Sequence, residues 1–372
     1  MAQDKEKKEN KKMPRTEFKE IGRVAALERL FETTEYKNSE VQEFVGSVKD
    51  GDSSVDYNYL TTNKIMLEGI DFDLTYTPIK YLGYKAAVNA MGSLYARCYK
   101  PYKMSFSIAV SGKFSYEHVD WLWTGIRAAA KEHGVENVTL ELRSSLTGLI
   151  ISCTAVGRQR KDVVEKFPKV EKNALICVTG NMGAAYMGLH VLEREKVAFG
   201  AQNRPGTPSE NSGSAPSSNG YKQPDLSRYK YILSRYLTPE IDGECIEKFA
   251  SAGFYPCTGY FMTRGLGDAV KQLAKDTGFG AKIFLKNIPI ASETRQMAEE
   301  IDIDVITAVI NGGDDYRTLY VVPLDKHEAF IKEFKEADVI GHLCAAETEN
   351  PADSCSLITP EGNSIAIQAQ GW

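Results

Sequence analysis

Residues 305–322 read VITAVINGGDDYRTLYVV, and at their centre stands Asn311-Gly312-Gly313-Asp314-Asp315-Tyr316. The apolar run Val305, Ile306, Ala308, Val309, Ile310 leads in, and the strand-like run Leu319, Tyr320, Val321, Val322 leads out. Asn-Gly-Gly takes positive φ without steric penalty, so a sharp turn between the two runs is expected, with the glycines carrying the unusual backbone. Asp314 and Asp315 then stand side by side at its lip, where paired carboxylates can hold a cation or a charged ligand. Taken alone, the six residues are equally those of a solvated hairpin turn. Their surroundings decide between the two.

Outward from that turn, the chain has the material of two α/β-sized units. Its 372 residues exceed one average domain, and 42% hydrophobic with 26% charged residues is ordinary globular composition. A formal charge of −5 argues against a nucleic-acid partner, which requires a basic excess. The one basic cluster lies in residues 1–15, is interrupted by Asp4, Glu6 and Glu9, and reads as a disordered arm, neither leader nor anchor. No window approaches a membrane span. The seven cysteines lack CxxC spacing, and most stand in apolar runs, as in Ile176-Cys177-Val178. Buried free thiols in a reducing cytoplasm follow, without zinc.

The first unit is expected over 16–160 and opens with a helix from Phe18 to Phe31. A Gly/Asp/Ser-rich loop is expected at 46–58, then a strand at 65–67, and a helix from Pro78 carrying Leu82, Ala86, Ala87, Val88 and Met91. A strand at 104–110 follows, then a helix containing Trp121 and Trp123 that closes at Gly134, and strands at 138–142 and 149–156. Residues 161–173 are charged, contain Pro168 and read as a connection. The second unit, 174–372, begins with the strand 174–178 running into Thr179-Gly180-Asn181-Met182-Gly183 and a helix. A glycine-punctuated strand-to-helix turn can cradle a phosphate on free N–H groups, which marks Gly180 and Gly183 as phosphate-loop candidates; the spacing is neither a Walker loop nor GxGxxG. Residues 203–223 are low-complexity and read as a flexible insertion. Asp302 and Asp304 alternate with apolar residues, as in a solvent-facing strand.

Several long phrases in this order resemble the thiamine-monophosphate kinases. They are LEGIDFDLTYTPIKYLGYKAAVN (67–89), SSLTGLIISCTAVG (144–157), GAAYMGLHVLEREK (183–196), QPDLSRYKYIL (223–233), NGGDDY (311–316) and QAQGW (368–372). The resemblance implies a two-domain aminoimidazole ribonucleotide synthetase-like α/β (α+β) fold. Its N-terminal mixed sheet would form a barrel in a homodimer, beside a C-terminal α/β domain. It also implies ATP and thiamine monophosphate as substrates, with aspartates holding Mg²⁺ between the phosphates.

Carried over position by position, the family's acids are largely missing. The Gly-Asp-Asp loop falls on Asp50-Gly51-Asp52, leaving Asp52. The aspartate before the Leu-Glu-Gly strand is Lys64, the histidine after it is Asp71, and Ser-Asp has become Gly92-Ser93. Gly-Gly-Asp-Thr falls on Thr139-Leu140-Glu141-Leu142, and Asp-x-Ser-Asp-Gly-Leu on Phe261-Met262-Thr263-Arg264-Gly265-Leu266. Only the turn carrying Asp314 and Asp315 is kept. Each acid-to-base change swings the local charge by two units and opposes Mg²⁺. The expectation is therefore a catalytically degenerate homologue that binds a phosphorylated ligand (a thiamine phosphate or a nucleotide) or a protein partner. Lys64 and Arg264 would hold the ligand without metal or pair with the remaining acids, and Trp372 would close over it. The alternative is a working kinase that uses ATP and a Mg²⁺ site rebuilt from Asp52, Glu141, Asp71, Asp314 and Asp315.

Overall fold

A period-two pattern in the first half builds a five-stranded sheet. In the computed structural model the described residues are 16, 29–35, 47–50, 53–202 and 226–367. The arm 1–15, most of the expected first helix, Asp52, the insertion 203–223 and Trp372 lie outside them. β1 (Ser47–Asp50) and β2 (Ser53–Leu67) form a hairpin across what reads as a loop in the sequence. Asp50 pairs opposite Ser53, and the Tyr and Thr residues further along β2, from Tyr57 to Thr62, suit a pleated, half-exposed surface. α1 (Ile79–Ala96), β3 (Lys100–Val110), α2 (Tyr116–Glu132), β4 (Asn137–Ser144) and β5 (Leu149–Arg160) follow, with sheet order β1-β2-β5-β3-β4. Pairing is antiparallel except for β3 with β4, which α2 connects.

Met66, Ile151, Phe106, Ile108, Leu140 and Leu142 point to one face, where α1 and α2 cover them. Thr61, Asn63, Ile65, Ser105, Ser107 and Thr154 point to the other face and are exposed. α2 starts at a Ser115 cap whose backbone N–H donates to the His118 ring, and it buries Trp123 while Trp121 stays half-exposed. α1 is buried on nearly every side, because it also packs against the second sheet.

A short helix, α3 (Lys161–Val164), leads to the second unit. Its elements are β6 (Leu175–Thr179), α4 (Ala184–Gln202), α5 (Lys230–Leu237), α6 (Cys245–Ala252), β7 (Thr258–Met262), α7 (Leu266–Thr277), β8 (Phe279–Phe284) and α8 (Ser292–Glu300). After these come α9 (Val305–Asn311), β9 (Arg317–Val322), α10 (His327–Glu333), β10 (Ala337–Ala345), β11 (Cys355–Ile358) and β12 (Ser364–Ala366). The strands form one seven-stranded sheet in the order β12-β11-β8-β10-β6-β9-β7. One face packs on α7 and α9 through Ile176, Val178, Leu273, Val309 and Leu319. The other carries an aromatic cluster of Phe249, Tyr320, Phe330 and Phe334, which joins the core around α1. One apolar core thus runs from the first sheet through α1 into the second.

The NGGDDY turn differs from its sequence reading in two ways. Val305–Asn311 is a helix, so the chain goes from helix to strand and no hairpin forms. Asp304 is the N-cap of that helix, accepting from Ile306 N–H at 3.2 Å and Thr307 N–H at 3.0 Å, while Asp302 stands at φ 55° in the turn before it. A short run of β-branched residues is ambiguous between helix and strand, and here the cap decides. The positive φ angles also fall elsewhere, at Asp314 (64°) and Tyr316 (51°) and not at the glycines. Gly312 and Gly313 serve close approach instead. A Cβ on Gly312 would lie 2.2 Å from the Ala308 carbonyl, and one on Gly313 would lie 2.7 Å from that of Thr263. The left-handed strain is borne by the functional side chains themselves.

Candidate functional site

α1, β2, β7 and the NGGDDY turn converge at one end of the shared core, and a lysine sits at the convergence. Lys85 projects from the buried stripe of α1, its side chain only 2% exposed, and its Nζ lies 2.7 Å from Asp314 Oδ2. The ammonium also stands 4.0 Å from the centre of the Tyr236 ring, which adds a cation–π contact. Tyr316 closes the same space, and burial followed by the charges of Asp314 and Asp71 pushes its phenol far up. Lys85 is the residue that motif reading misses. The signal was present: it occupies a core position of an apolar helix, three residues after Leu82 and four before the buried Asn89.

Asp71 joins this group from the turn after β2. Its Oδ2 accepts the Leu67 N–H at 2.7 Å, and burial, with Asp314 also contributing, raises its pKa. Lys64 lies one turn of the pleat back on β2, on the inner face with Cys153 and Phe106. Burial and then the charge of Arg264 lower its pKa, against a smaller pull from Asp268. Neither Lys64 nor Arg264 has a carboxylate within ion-pair distance among the described residues. Asp314 is paired with Lys85, and Glu68 with Lys113. The expected pairing of Lys64 and Arg264 with Asp314, Asp315 or Glu68 is thus corrected; Asp52 lies outside the described residues.

Asp315 has a different task. It is fully buried, with Oδ2 2.8 Å from the Gly183 N–H and Oδ1 3.5 Å from that of Ala185, at the start of α4. Burial pushes its pKa up to about 6, held back by those amides and by Arg317. The helix N-terminus that the glycine pattern offered to a phosphate therefore already holds the chain's own carboxylate. Gly180 donates its N–H to the Glu336 carbonyl at 2.7 Å and lies under the Arg317 guanidinium. Neither glycine presents a free amide to a ligand.

The other sequence candidates do not reach this centre. Glu141 is in register with Ser107, Ser152 and Ile65, on the outer face of the first sheet, and pairs with Arg143 at 3.0 Å. Lys64 is one residue away in that register and therefore on the opposite face, so Glu141 and Asp314 cannot share a ligand within one chain. Ser93 lines a separate groove of about 470 Å³ with Thr61, Tyr99 and Thr258. Leu140 is core. Phe261 stands where the kinases' pattern has an acid. Its ring lies over Gly92, where a Cβ would come within 2.3 Å, and meets Tyr316 edge-on at 5.3 Å. Among the described residues no three His, Cys, Asp or Glu side chains converge.

Comparison with known proteins agrees with this architecture. The crystal structure of thiamine monophosphate kinase from Aquifex aeolicus superposes with a TM-score of 0.63 at 18% identity, covering 93% of this chain and 98% of that one. The chain has the thiamine-monophosphate kinase fold. In sequence it is 22% identical to the thiamine-monophosphate kinase of Aquifex aeolicus (strain VF5) over 320 residues, 84% of this chain and 90% of that protein. Hydrogenase maturation protein HypE in complex with ATP superposes equally, with TM-score 0.63, 13% identity and coverage of 93% and 92%. No protein-family profile matches the sequence. The chain is thus similar to the kinases and to HypE in fold, and at low identity to the kinases in sequence. No helix among the described residues is long and apolar enough to cross a membrane.

Proposed function

We propose that this chain is a binding protein built on the kinase fold: it holds a phosphorylated small molecule at the mouth marked by Lys64 and Arg264 and transfers no phosphoryl group. One observation carries the reading. Asp314, the acid of the retained turn, is already neutralised by a lysine buried to 2% exposure, and the cations Lys64 and Arg264 stand at the mouth beside Asp71 and Asp268. Asp71 and Asp314 are two carboxylates set among Lys64, Lys85 and Arg264. That donor set suits an anion and does not fit Mg²⁺, which asks for carboxylate and water oxygens free of competing ammonium groups. A site rebuilt with Glu141 meets the obstacle of the opposite sheet face.

The ligand class follows from the charges and from the relatives. A further similar solved structure, AaThiL, is complexed with AMPPCP and TMP, and HypE is complexed with ATP. A thiamine phosphate or a nucleotide is accordingly the first choice here, bound by point-charge and guanidinium contacts to its phosphate. A protein partner is the second choice, since HypE is also known in complex with HypF. We further propose a homodimer through the outer face of the first sheet, where Ile65 is 58% exposed among Thr and Ser side chains.

Purified protein with ATP, Mg²⁺ and thiamine monophosphate is expected to give no thiamine diphosphate above background. Turnover within about a hundredfold of an ordinary kinase of this fold would refute the reading. Calorimetry in EDTA should show binding of thiamine monophosphate or ATP that disappears in the Lys64→Ala/Arg264→Ala variant. Absence of both would leave the protein-partner version.

A further inference from the structure

The charged connection at 161–173 borders a groove at the far end of the second sheet from the NGGDDY turn. Ala174 just before β6, Cys257 just before β7 and Pro323 just after β9 line a hollow of about 900 Å³, and these three strands are neighbours in the sheet. We propose that this groove docks an acidic segment of a partner protein, with carboxylates on a lysine rim and one apolar side chain in the hollow. The site is separate from the mouth at Lys64 and Arg264 and does not rest on ligand binding there.

The rim follows from how the connection packs. Phe167 packs against the core around α1 and Val170 against the core of the second sheet, which leaves Lys166, Lys169 and Lys172 exposed. None of these three has a carboxylate within ion-pair distance among the described residues. Lys326 completes the rim from the other side and pairs with Asp325 at 2.9 Å. Four lysines against two carboxylates, Glu171 and Asp325, give the lining a net charge of +2 in a chain whose total is −5. Inside the rim the surface is apolar, with Phe254 and Tyr255 on the floor and Leu324 left 60% exposed.

A basic rim around an exposed apolar floor is complementary to an acidic chain with an apolar anchor, the rim charges steering the encounter and the buried anchor holding it. An extended occupant fits better than a compact one, because the hollow does not end at Cys257. The groove of about 470 Å³ that holds Ser93 also reaches Cys257; Phe167 lines that groove, Tyr255 lines the basic hollow, and the two rings meet at 5.2 Å. The basic hollow has no arginine in its lining, so it offers single ammonium charges, suited to carboxylates spaced along a chain, and no bidentate fork for phosphate. A net +2 is also small beside what a nucleic-acid backbone requires.

The test uses the full chain and a fluorescein-labelled peptide with a central phenylalanine flanked by glutamates, followed by fluorescence anisotropy. Wild type is expected to bind it, more weakly as salt rises, and roughly tenfold tighter than the same peptide with alanine at the centre. Lys166→Glu/Lys169→Glu/Lys172→Glu should weaken binding about tenfold or more, and Leu324→Ser should weaken it too. Lys131→Glu/Lys230→Glu/Lys275→Glu makes the same change of net charge at exposed positions on α2, α5 and α7 and should leave binding unchanged. A second readout needs no variant. A photo-crosslinking phenylalanine at the peptide's centre should attach to residues 166–174, 253–257 or 323–326, mapped by mass spectrometry. If the rim variant does not fold, Leu324→Ser and the crosslinks decide. No binding by wild type, an equal loss in the control variant, or crosslinks elsewhere overturns the proposal. So does a labelled single-stranded oligonucleotide that binds more tightly than the peptide and depends on the same lysines, which would make the groove a nucleic-acid site.

Discussion

Removing either partner of the Lys85–Asp314 pair should not cost the same, and the asymmetry tests how the centre is held. The lysine side chain is 2% exposed and the aspartate 28%. Asp314→Asn keeps the shape and tolerates the φ of 64°, because Asn is comfortable in the left-handed region. It strands an ammonium with only the Tyr236 ring, at 4.0 Å, to stabilise it. Losing one partner of a buried pair costs about 3–5 kcal/mol, and the cation–π contact offsets roughly 1–2 of that. The expected loss is therefore about 1–4 kcal/mol by the same reasoning. Lys85→Met removes the buried charge and keeps the apolar stem, leaving a carboxylate that can draw on water. Its expected cost is at most about 1 kcal/mol, in the range of exposed pairs. The double variant should resemble Lys85→Met, since the stranded charge is gone. Urea unfolding with linear extrapolation measures all three, with unchanged m-values as the control. If Lys85→Met is as damaging as Asp314→Asn, or if the two losses simply add, the ammonium is not buried and paired in the way argued.

Three further outcomes follow from other parts of the structure. Asp315 has its pKa raised from 3.8 to about 6 in the folded chain, so folding favours its protonated form. That contribution is present below pH 4 and lost as pH rises through about 6, about 3 kcal/mol in all, and Asp315→Asn should remove this component from stability measured against pH. Gly92→Ala places a Cβ 2.3 Å from the Phe261 ring; it should cost about 1–3 kcal/mol in denaturant melts and be partly relieved by Phe261→Leu. Asp304→Ala removes the cap of α9 and should cost about 1 kcal/mol. Spared stability there would mean that packing, and not the cap, holds Val305–Asn311 as a helix.

Much of the fold was legible along the chain. Period-two runs marked the strands of the first sheet, Pro78 and Gly134 marked where α1 begins and α2 ends, and the glycine-rich turn after 174–178 did lead into a helix. The misreadings cluster where local pattern is ambiguous. Val305–Ile310 reads as a strand by composition, and the segment at 46–58 reads as a loop by its Asp, Gly and Ser content. In both cases a short-range signal competed with pairing or capping that composition does not encode.

The candidate site divides along the same line. The sequence by itself determined which charges are available: two cations where the kinases' pattern has acids, and a retained pair of aspartates. Only the tertiary structure decided what each charge answers to. Lys85 and Asp314 are 229 residues apart and meet because α1 is buried between two sheets. Asp315 turns inward to the start of α4, and Glu141 turns outward by one step of the pleat. A carboxylate's role depends on the burial and partners that folding brings to it, and a linear motif carries the carboxylate without either.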